Sequence, residues 1–215
     1  MPKMDTKSKE NNFKHYFISQ EHKEEDYFTF KTIFNNKEYV FRSCKDVFSK
    51  DELDYGSLVL IKTIEKHKNS FNGNILDMCC GYGTIGILIS SFLNANIEMC
   101  DINTTAVELA SNNVKQNKTN ITQVFTSNLY ENVNKVYNHI VSNPPIKVGK
   151  KVLISFIDGS YNHLEENGTL TIVIKKNLGA DSTKKYMTNL FGNCNVLERD
   201  KGYYILQSKK MNYNE

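Results

Sequence analysis

Short apolar runs alternate with longer amphipathic stretches from about residue 74 to the end of the chain. The runs suit buried parallel strands, and apolar residues that recur every three or four positions suit helices between them. The predicted strands lie at 75–76, 96–100, 121–125, 137–142 and 169–175, the helices at 84–93, 104–117, 152–164 and 182–191, and a closing hairpin at 195–198 and 203–207. This alternation predicts an α/β fold with a mostly parallel central sheet, helices on both faces and an antiparallel C-terminal hairpin.

The segment before this alternation predicts one hairpin and one helix. Residues 28–34 and 38–42 alternate apolar and polar positions around Asn35-Asn36, and asparagine tolerates the positive φ of a tight hairpin turn. Ser49 is the predicted N-cap of a helix that runs through Lys66. The core is therefore expected to have an N-terminal β-hairpin lead-in.

Length and composition indicate a single domain. A chain of 215 residues can bury one sizeable core. We expect a disordered polar tail at 1–14 and one domain at 15–215, divided into a lead-in at 15–70 and a core at 71–215. The five cysteines show no paired C-x-x-C spacing, which argues against a disulfide framework or a zinc site. Since no apolar stretch approaches the length of a membrane span, we expect a cytoplasmic protein without a metal or a membrane partner.

A glycine loop joins the first core strand to the helix that follows it. Gly81 and Gly83 permit a sharp turn and close approach to a ligand, and with Gly86 they match G-x-G-x-x-G. That match alone allows a dinucleotide. Asp77 favours S-adenosylmethionine, because a carboxylate repels a pyrophosphate and attracts an ammonium or sulfonium group. Asp101, after the second core strand, can accept hydrogen bonds from the ribose hydroxyls of either cofactor.

The motif Asn143-Pro144-Pro145-Ile146 follows the predicted strand 137–142. The prolines fix φ and lack backbone donors, so this N-P-P loop is expected to be stiff and rich in acceptors. An exocyclic amino group is a poor nucleophile because its lone pair is delocalised into the ring. The Asn143 side-chain oxygen and the Pro144 carbonyl could bind its two hydrogens and turn the lone pair toward a sulfonium methyl group. On this reasoning Asn143→Asp is expected to be milder than Asn143→Ala.

Lysines cluster around the predicted position of this loop. Lys147, Lys150 and Lys151 follow the N-P-P motif, and Lys175 and Lys176 end the next strand. In open parallel sheets ligands bind at the carboxyl ends of the strands, so the glycine loop, the N-P-P loop and these lysines are expected at one edge. A net charge of +3 does not by itself indicate a nucleic-acid partner. The local cluster nevertheless predicts phosphate binding.

Together these motifs resemble the class I methyltransferases that methylate guanine N2 in 16S ribosomal RNA. The chain is most similar to the short single-domain bacterial form, over about residues 15–209. The resemblance is carried by residues 77–86, 101–103, 142–151, 174–176 and 201–204, together with 47–50 and 54–57 in the lead-in. It implies a Rossmann-like class I methyltransferase fold acting on ribosomal RNA or the small ribosomal subunit. We expect a monomer.

The resemblance also implies the roles of individual residues. It implies S-adenosylmethionine contacts from Asp77, Cys79, Gly81, Gly83, Asp101, Ile102, Asn128 and Asn143. It implies that the target amino group is held by Asn143, Pro144, Pro145 and Ile146. The lysines predicted to contact RNA are Lys147, Lys150, Lys151, Lys175 and Lys176.

Four positions depart from the family pattern. Cys79 stands where the family usually has glycine, Thr84 where it often has proline, and Asn128 where an aspartate usually contacts the adenine amino group. Ile146 occupies a place where many amino methyltransferases have an aromatic residue that stacks on the base. A flipped base would need another aromatic side chain, and the candidates are Tyr16, Phe17, Phe48 and Tyr55.

Two other functions remain open from the sequence. The N-P-P geometry suits any planar NH2 group, so a protein glutamine or a DNA adenine is an alternative substrate, although Ile146 weighs against DNA adenine. A cofactor-binding RNA assembly factor without turnover is the second alternative, because Cys79 and Asn128 depart from the family. The retained Asn143 weighs against it.

Overall fold

The computed structural model describes residues 23–45 and 53–211, and for Lys147 the backbone only. The strands are β1 (Tyr27–Phe34), β2 (Lys37–Cys44), β3 (Gly73–Met78), β4 (Ala95–Asp101), β5 (Ile121–Thr126), β6 (Tyr137–Ser142), β7 (Leu164–Lys175), β8 (Asn195–Asp200) and β9 (Tyr203–Lys209). The helices are α1 (Tyr55–Lys66), α2 (Thr84–Ile89), α3 (Thr104–Asn117), α4 (Lys150–Asn162) and α5 (Ala180–Phe191). The predicted alternation of strands and helices is confirmed.

Seven strands form one sheet in the order β5-β4-β3-β6-β7-β9-β8. The first five in this order are parallel, β9 pairs antiparallel with β7, and β8 pairs antiparallel with β9. The predicted sheet with its antiparallel C-terminal hairpin is therefore confirmed. The chain order reverses between β3 and β6. In sheets of this kind ligands bind beside such a reversal, outside the carboxyl ends of the strands.

The sheet separates two hydrophobic cores. Ile75 of β3 packs into a core shared with α1, α2 and α3, whereas the next residue, Leu76, packs into a core shared with α4 and α5. Both side chains are fully buried. Successive residues of a strand point to opposite faces, and burial of both faces makes the central strands continuous apolar runs. Helices therefore cover both faces, as predicted.

The lead-in hairpin of β1 and β2 packs against α3. Asn35 and Asn36 form its turn with φ values of 49° and 61°, which confirms the predicted hairpin. Two buried asparagines of α3, Asn113 and Asn117, bind the outer edge of β2. Asn117 accepts a hydrogen bond from Val40 N at 2.9 Å and donates one to Val40 O at 2.8 Å. These amides supply the partners that a neighbouring strand would otherwise supply.

Helix α1 begins later than predicted. Its N-cap is Asp54, whose carboxylate accepts a hydrogen bond from Ser57 N at 2.8 Å. The predicted cap, Ser49, lies outside the described residues. The helix lies across β7, β9 and β8 on the face that it shares with α2. This position brings its N-terminus to the carboxyl edge of the parallel strands, beside the turn between β8 and β9.

Helix α2 ends at Ile89, four residues before the predicted end at 93. The hydroxyls of Ser90 and Ser91 donate to the carbonyls of Ile87 and Leu88. Such local bonds from a side chain compete with the helical pattern and favour its termination.

Helix α4 also ends early, at Asn162 rather than at 164. Leu164 already belongs to β7, where it pairs with Tyr137 of β6. Because Leu164 pairs in the sheet, it cannot belong to the helix as predicted.

Candidate functional site

The carboxyl ends of β3, β4 and β6 are joined by hydrogen bonds that hold their loops together. Ser142 Oγ, at the end of β6, donates to Met78 O at 2.6 Å. Cys80 N donates to Cys100 O at 3.0 Å, which connects the glycine loop to β4. The segments that carry the predicted cofactor residues and the N-P-P motif therefore meet at one edge, as expected.

The three glycines of the G-x-G-x-x-G match, two in the loop and Gly86 in α2, are required for different reasons. Gly81 has a φ of 55°, and a Cβ built on it would meet no atom within 4 Å. Gly83 has a φ of 92°, in the left-handed region that favours glycine, and it precedes the first residue of α2. A Cβ on Gly86 would lie 2.3 Å from Met99 Sδ, so Gly86 permits close packing of α2 on β4. Gly81 thus leaves an open cradle above the loop, whereas Gly86 lies in packed interior.

Cys79 adopts a left-handed backbone conformation with a φ of 60°. This conformation explains why glycine suits the position better, since a residue with a Cβ is strained there by roughly 1–2 kcal/mol. Burial raises the pKa values of the Cys79 and Cys80 thiols well above their usual range. Both thiols are therefore protonated at neutral pH and are not activated as nucleophiles.

Asp77 of β3 is bound to the first turn of α2. Its side chain is fully buried, and Oδ2 accepts a hydrogen bond from Gly86 N at 2.8 Å. Burial raises the pKa of Asp77 to about 8; the Gly86 bond lowers it in part, and the nearby Asp101 raises it further. In the ligand-free protein this raised pKa favours the protonated carboxyl. The bond to Gly86 N supports the first turn of α2, and the expected contact of Asp77 with S-adenosylmethionine stays a prediction.

Asp101 connects the glycine loop to the start of α3. Its Oδ2 accepts from Gly81 N at 2.9 Å, and its Oδ1 accepts from Asn103 N at 2.9 Å. Burial raises the pKa of Asp101, while backbone N–H groups of Asn103, Gly81 and Ile102 lower it. Each carboxylate oxygen keeps a lone pair for a further donor. Asp101 is therefore placed directly beside the cradle, with the half-buried Ile102 next to it.

Asn128 lies in the exposed loop after β5. Its Nδ2 donates to Glu131 Oε1 at 2.7 Å. A carboxylate can only accept, so this contact assigns the nitrogen. In the part of the chain that the structure describes, no donor contacts the amide oxygen. The expected contact of this oxygen with an adenine amino group stays a prediction.

The N-P-P loop forms an inverse γ-turn. Pro145 has φ −76° and ψ 75°, and Ile146 N donates to Pro144 O at 2.8 Å. The sequence suggested that the Pro144 carbonyl is a free acceptor. In the structure one of its lone pairs is already used within the loop. Its second lone pair remains available. Pro144 is buried, whereas Pro145 and Ile146 are partly exposed.

The Asn143 amide is held by the N-terminus of α1. Its Nδ2 donates to Asp54 Oδ2 at 2.9 Å and to Ser57 Oγ at 3.0 Å. Among the described residues no donor contacts Asn143 Oδ1. Sequence reasoning gave Asp54 and Ser57 no role in the site. The available signal was Asp54 itself, since an aspartate directly before an apolar stretch of helical period is typical of a helix N-cap.

Tyrosines and lysines border the N-terminus of α1. Tyr55, one of the aromatic candidates for base stacking, donates its hydroxyl to Asp200 Oδ2 at 2.7 Å, which fixes its ring against the turn between β8 and β9. Lys201 Nζ lies 4.7 Å from the Tyr55 ring centroid, and Lys175 Nζ lies 5.4 Å from the Tyr203 ring centroid. Cations and aromatic faces thus alternate along this edge.

The other predicted residues have the following places. Lys150, Lys151, Lys175 and Lys176 are exposed. The aromatic candidates Tyr16, Phe17 and Phe48 lie outside the described residues, and the side chain of Lys147 does as well. Within residues 23–45 and 53–211, no group of histidine, cysteine or carboxylate side chains is arranged to hold a metal ion. None of the helices in that part of the chain is long and apolar enough to cross a membrane.

His139 of β6 is a satisfied sheet residue. Its Nδ1 lies 2.8 Å from Thr169 Oγ1, and its Nε2 accepts from Asn72 N at 3.4 Å. Burial lowers the pKa of His139 to about 4, so the ring is neutral at physiological pH. These contacts use both ring nitrogens in the structure.

Known proteins share the sequence pattern of this chain. The chain matches the family Methyltransferase small domain over residues 38–207. The Bacillus subtilis protein named Uncharacterized protein YbxB is 38% identical over 200 residues, which are 92% of this chain and 98% of that protein. Ribosomal RNA small subunit methyltransferase C of Photobacterium profundum is 33% identical over 182 residues, which are 80% of this chain and 50% of that protein.

A solved structure shares the fold. The T. thermophilus 16S rRNA N2 methyltransferase RsmC, in complex with AdoMet and guanosine, superposes with a TM-score of 0.77 and 22% identity over 86% of this chain and 50% of that chain. The chain therefore spans about half the length of these methyltransferases. The resemblance drawn from the motifs is confirmed at the level of the family, which is matched over most of the chain. This chain belongs to the methyltransferase small domain family.

Proposed function

We propose that this protein transfers a methyl group from S-adenosylmethionine to the exocyclic amino group of a guanine (N2) in small-subunit ribosomal RNA. The observation that carries the proposal is the fixed amide of Asn143. Its nitrogen is bound to Asp54 and Ser57, which leaves its oxygen as an acceptor at the carboxyl edge of the sheet. An acceptor held in this way suits a substrate that presents N–H groups.

The residues around the glycine loop fit the cofactor. Gly81 leaves the space above the loop open, and a side chain there would fill it. Asp101 can accept from ribose hydroxyls, and the Asn128 oxygen can accept from an adenine amino group. S-adenosylmethionine supplies an electrophilic methyl group when it is bound. Calorimetry with S-adenosylmethionine and, separately, NADH tests this choice, and tight binding of NADH alone would contradict it.

The N-P-P loop supports catalysis by positioning. The Asn143 oxygen and the second lone pair of the Pro144 carbonyl accept the two hydrogens of the amino group, which directs its nitrogen lone pair out of the plane of the base. The inverse γ-turn at Pro145 keeps the two acceptors in a constant relation. No strong base is required before transfer, since the proton leaves the nitrogen afterwards. Most of the rate enhancement then comes from orientation.

The relatives favour an RNA substrate over the other NH2 groups. The chain is 33% identical to a protein named for ribosomal RNA methylation, and it shares its fold with a 16S rRNA N2 methyltransferase solved with guanosine. The exposed lysines Lys150 and Lys151 follow the N-P-P loop in sequence, and the exposed Lys175 and Lys176 stand at the end of β7. All four can contact phosphates. The experiment below tests this proposal against two alternatives. One is a glutamine or adenine methyltransferase, and the other is an assembly factor without turnover.

The test is incubation with methyl-labelled cofactor and, in separate reactions, small ribosomal subunits, naked ribosomal RNA, DNA and a release factor. We expect label in the RNA at guanine N2. Asn143→Ala is expected to lower turnover by roughly 100-fold or more, because it removes a fixed acceptor at the reacting centre. Cofactor affinity should change little, since the glycine loop and Asp101 remain. Label in DNA or protein alone, or full single-turnover methylation by Asn143→Ala, would refute the proposal.

A further inference from the structure

We propose that Asp54 is a positioning residue for the methyl transfer, because it determines which end of the Asn143 amide faces the substrate. This inference rests on the proposed function, and it extends the site to the N-terminus of α1. Asp54 and Asn143 are 89 residues apart in the sequence, and their side chains meet at 2.9 Å. The pair therefore joins the lead-in part of the chain to the N-P-P loop.

The contact leaves only one orientation of the amide satisfied. Asp54 Oδ2 is a carboxylate oxygen and can only accept, so the Asn143 nitrogen must face it. Ser57 Oγ accepts from the same nitrogen at 3.0 Å, so both N–H groups of the amide have partners. If the amide turned over, its oxygen would lie against a carboxylate and its nitrogen would face the substrate. A nitrogen donor there would oppose the N–H groups of the amino substrate instead of binding them.

Asp54 is itself held firmly. Its carboxylate accepts from Ser57 N at 2.8 Å as the N-cap of α1, and its carbonyl accepts from Leu58 N at 2.9 Å. Gly56 allows the helix end to lie close to the sheet, because a Cβ there would be 2.8 Å from the Tyr203 ring. The helix behind this end is packed through buried residues such as Leu60. A rigid element therefore supports the acceptor that orients Asn143.

The same contact explains why an amide is needed at position 143. A carboxylate in that place would have an oxygen at hydrogen-bonding distance from Asp54 Oδ2, and two carboxylates cannot both be ionised so close together. Asn143→Asp is therefore not the mild change that the loop alone suggested. We expect it to misplace the acceptor unless Asp54 is changed as well.

Four variants of the full-length protein test the inference: Asp54→Ser, Asp54→Asn, Asn143→Asp and the double variant Asp54→Asn with Asn143→Asp. Serine keeps an N-cap acceptor for α1, but its side chain is too short to bind Asn143. Asparagine at the same position offers an oxygen in the place of the carboxylate. Each variant is assayed with methyl-labelled cofactor and the substrate that wild type methylates, alongside calorimetry for the cofactor and a melting curve.

We expect Asp54→Ser to lower kcat by roughly 10- to 100-fold, since the amide is no longer oriented. Its cofactor affinity and melting temperature should stay close to those of wild type. Asp54→Asn should turn over substantially faster than Asp54→Ser, because it keeps an acceptor for the Asn143 amide. The double variant should be faster than Asn143→Asp, because the amide introduced by Asp54→Asn can donate to the new carboxylate. A change that affected only helix capping would not produce this rescue.

The outcomes separate this inference from the proposed function. If wild type methylates none of the substrates, both the proposed function and the positioning role of Asp54 are refuted. If wild type is active and Asp54→Ser turns over at the same rate, the positioning role of Asp54 is refuted while the proposed function stands. If Asp54→Asn fails to improve Asn143→Asp, the like-charge explanation for the amide at 143 is refuted in the same way.

Discussion

Replacing Asn113 by alanine tests how the lead-in hairpin is attached to the core. The Asn113 side chain is 1% exposed. Its Oδ1 accepts from Arg42 N at 2.8 Å, and its Nδ2 donates to Arg42 O at 3.0 Å and to Tyr82 O at 2.9 Å. A single amide therefore binds the edge of β2 and the glycine loop at once. Asn113→Ala removes all three bonds and leaves backbone groups without these partners.

The magnitude follows from those bonds. Each contributes roughly 1 kcal/mol net, and the better helix propensity of alanine returns roughly 0.5 kcal/mol, so we expect a loss of about 2–3 kcal/mol in the free energy of unfolding. For a domain of this size 1 kcal/mol shifts the melting temperature by about 2–4 °C, so the expected decrease is roughly 5–10 °C. Cofactor affinity should also decrease, because Tyr82 belongs to the glycine loop.

Asn112→Ala is the matched control, since Asn112 is the neighbouring residue of the same helix and is exposed. Calorimetric melting of the two variants and wild type at one pH measures the difference. We expect Asn112→Ala to melt at or slightly above the wild-type temperature. If Asn113→Ala melts at the same temperature as the control, the three bonds contribute nothing to stability, and the hairpin is attached by its other contacts, which include the bonds of Asn117 to Val40.

The glycine loop, the lysines and the buried carboxyl group give three further expectations. Gly81→Ala should weaken cofactor binding in calorimetry and cost only about 1 kcal/mol of stability from its left-handed φ. Gly86→Ala should mainly lower the melting temperature, because its Cβ would lie 2.3 Å from a methionine sulfur. Equal effects of the two variants on cofactor binding would contradict the inference that the space above Gly81 holds the cofactor. Replacing Lys150 and Lys151 by alanine should weaken RNA binding at every sequence and flatten its salt dependence. An unchanged salt slope would show that neither lysine contacts a phosphate. Burial raises the pKa of Asp77 to about 8, so the ligand-free folded protein keeps a proton there that the unfolded chain loses above a pH of about 4. The free energy of unfolding therefore decreases as the pH rises toward 8. Asp77→Asn should remove that decrease, and identical pH profiles of melting temperature for the variant and wild type would contradict this reasoning.

Much of the fold could be predicted because its signals are local. The Asn35-Asn36 turn, the positive φ values at Gly81 and Gly83, and the order of strands and helices depend on backbone preferences and hydrophobic periods within a few residues. Predictions were least accurate at the ends of helices. Hydroxyls of Ser90 and Ser91 end α2, and pairing of Leu164 in the sheet limits α4, and neither effect changes the apolar pattern.

The sequence by itself determined that the glycine loop, Asp101 and Asn143 follow parallel strands, which places them at one edge of the sheet. Only the tertiary structure decided how each of them acts there. It buries Asp77 beneath the loop, and it brings Asp54 to Asn143 across 89 residues. The physical reason is that burial and side-chain pairing depend on how α1 and α2 pack on the sheet. Hydrophobic periodicity specifies which face of a helix is buried, but not which polar group at its end meets which partner.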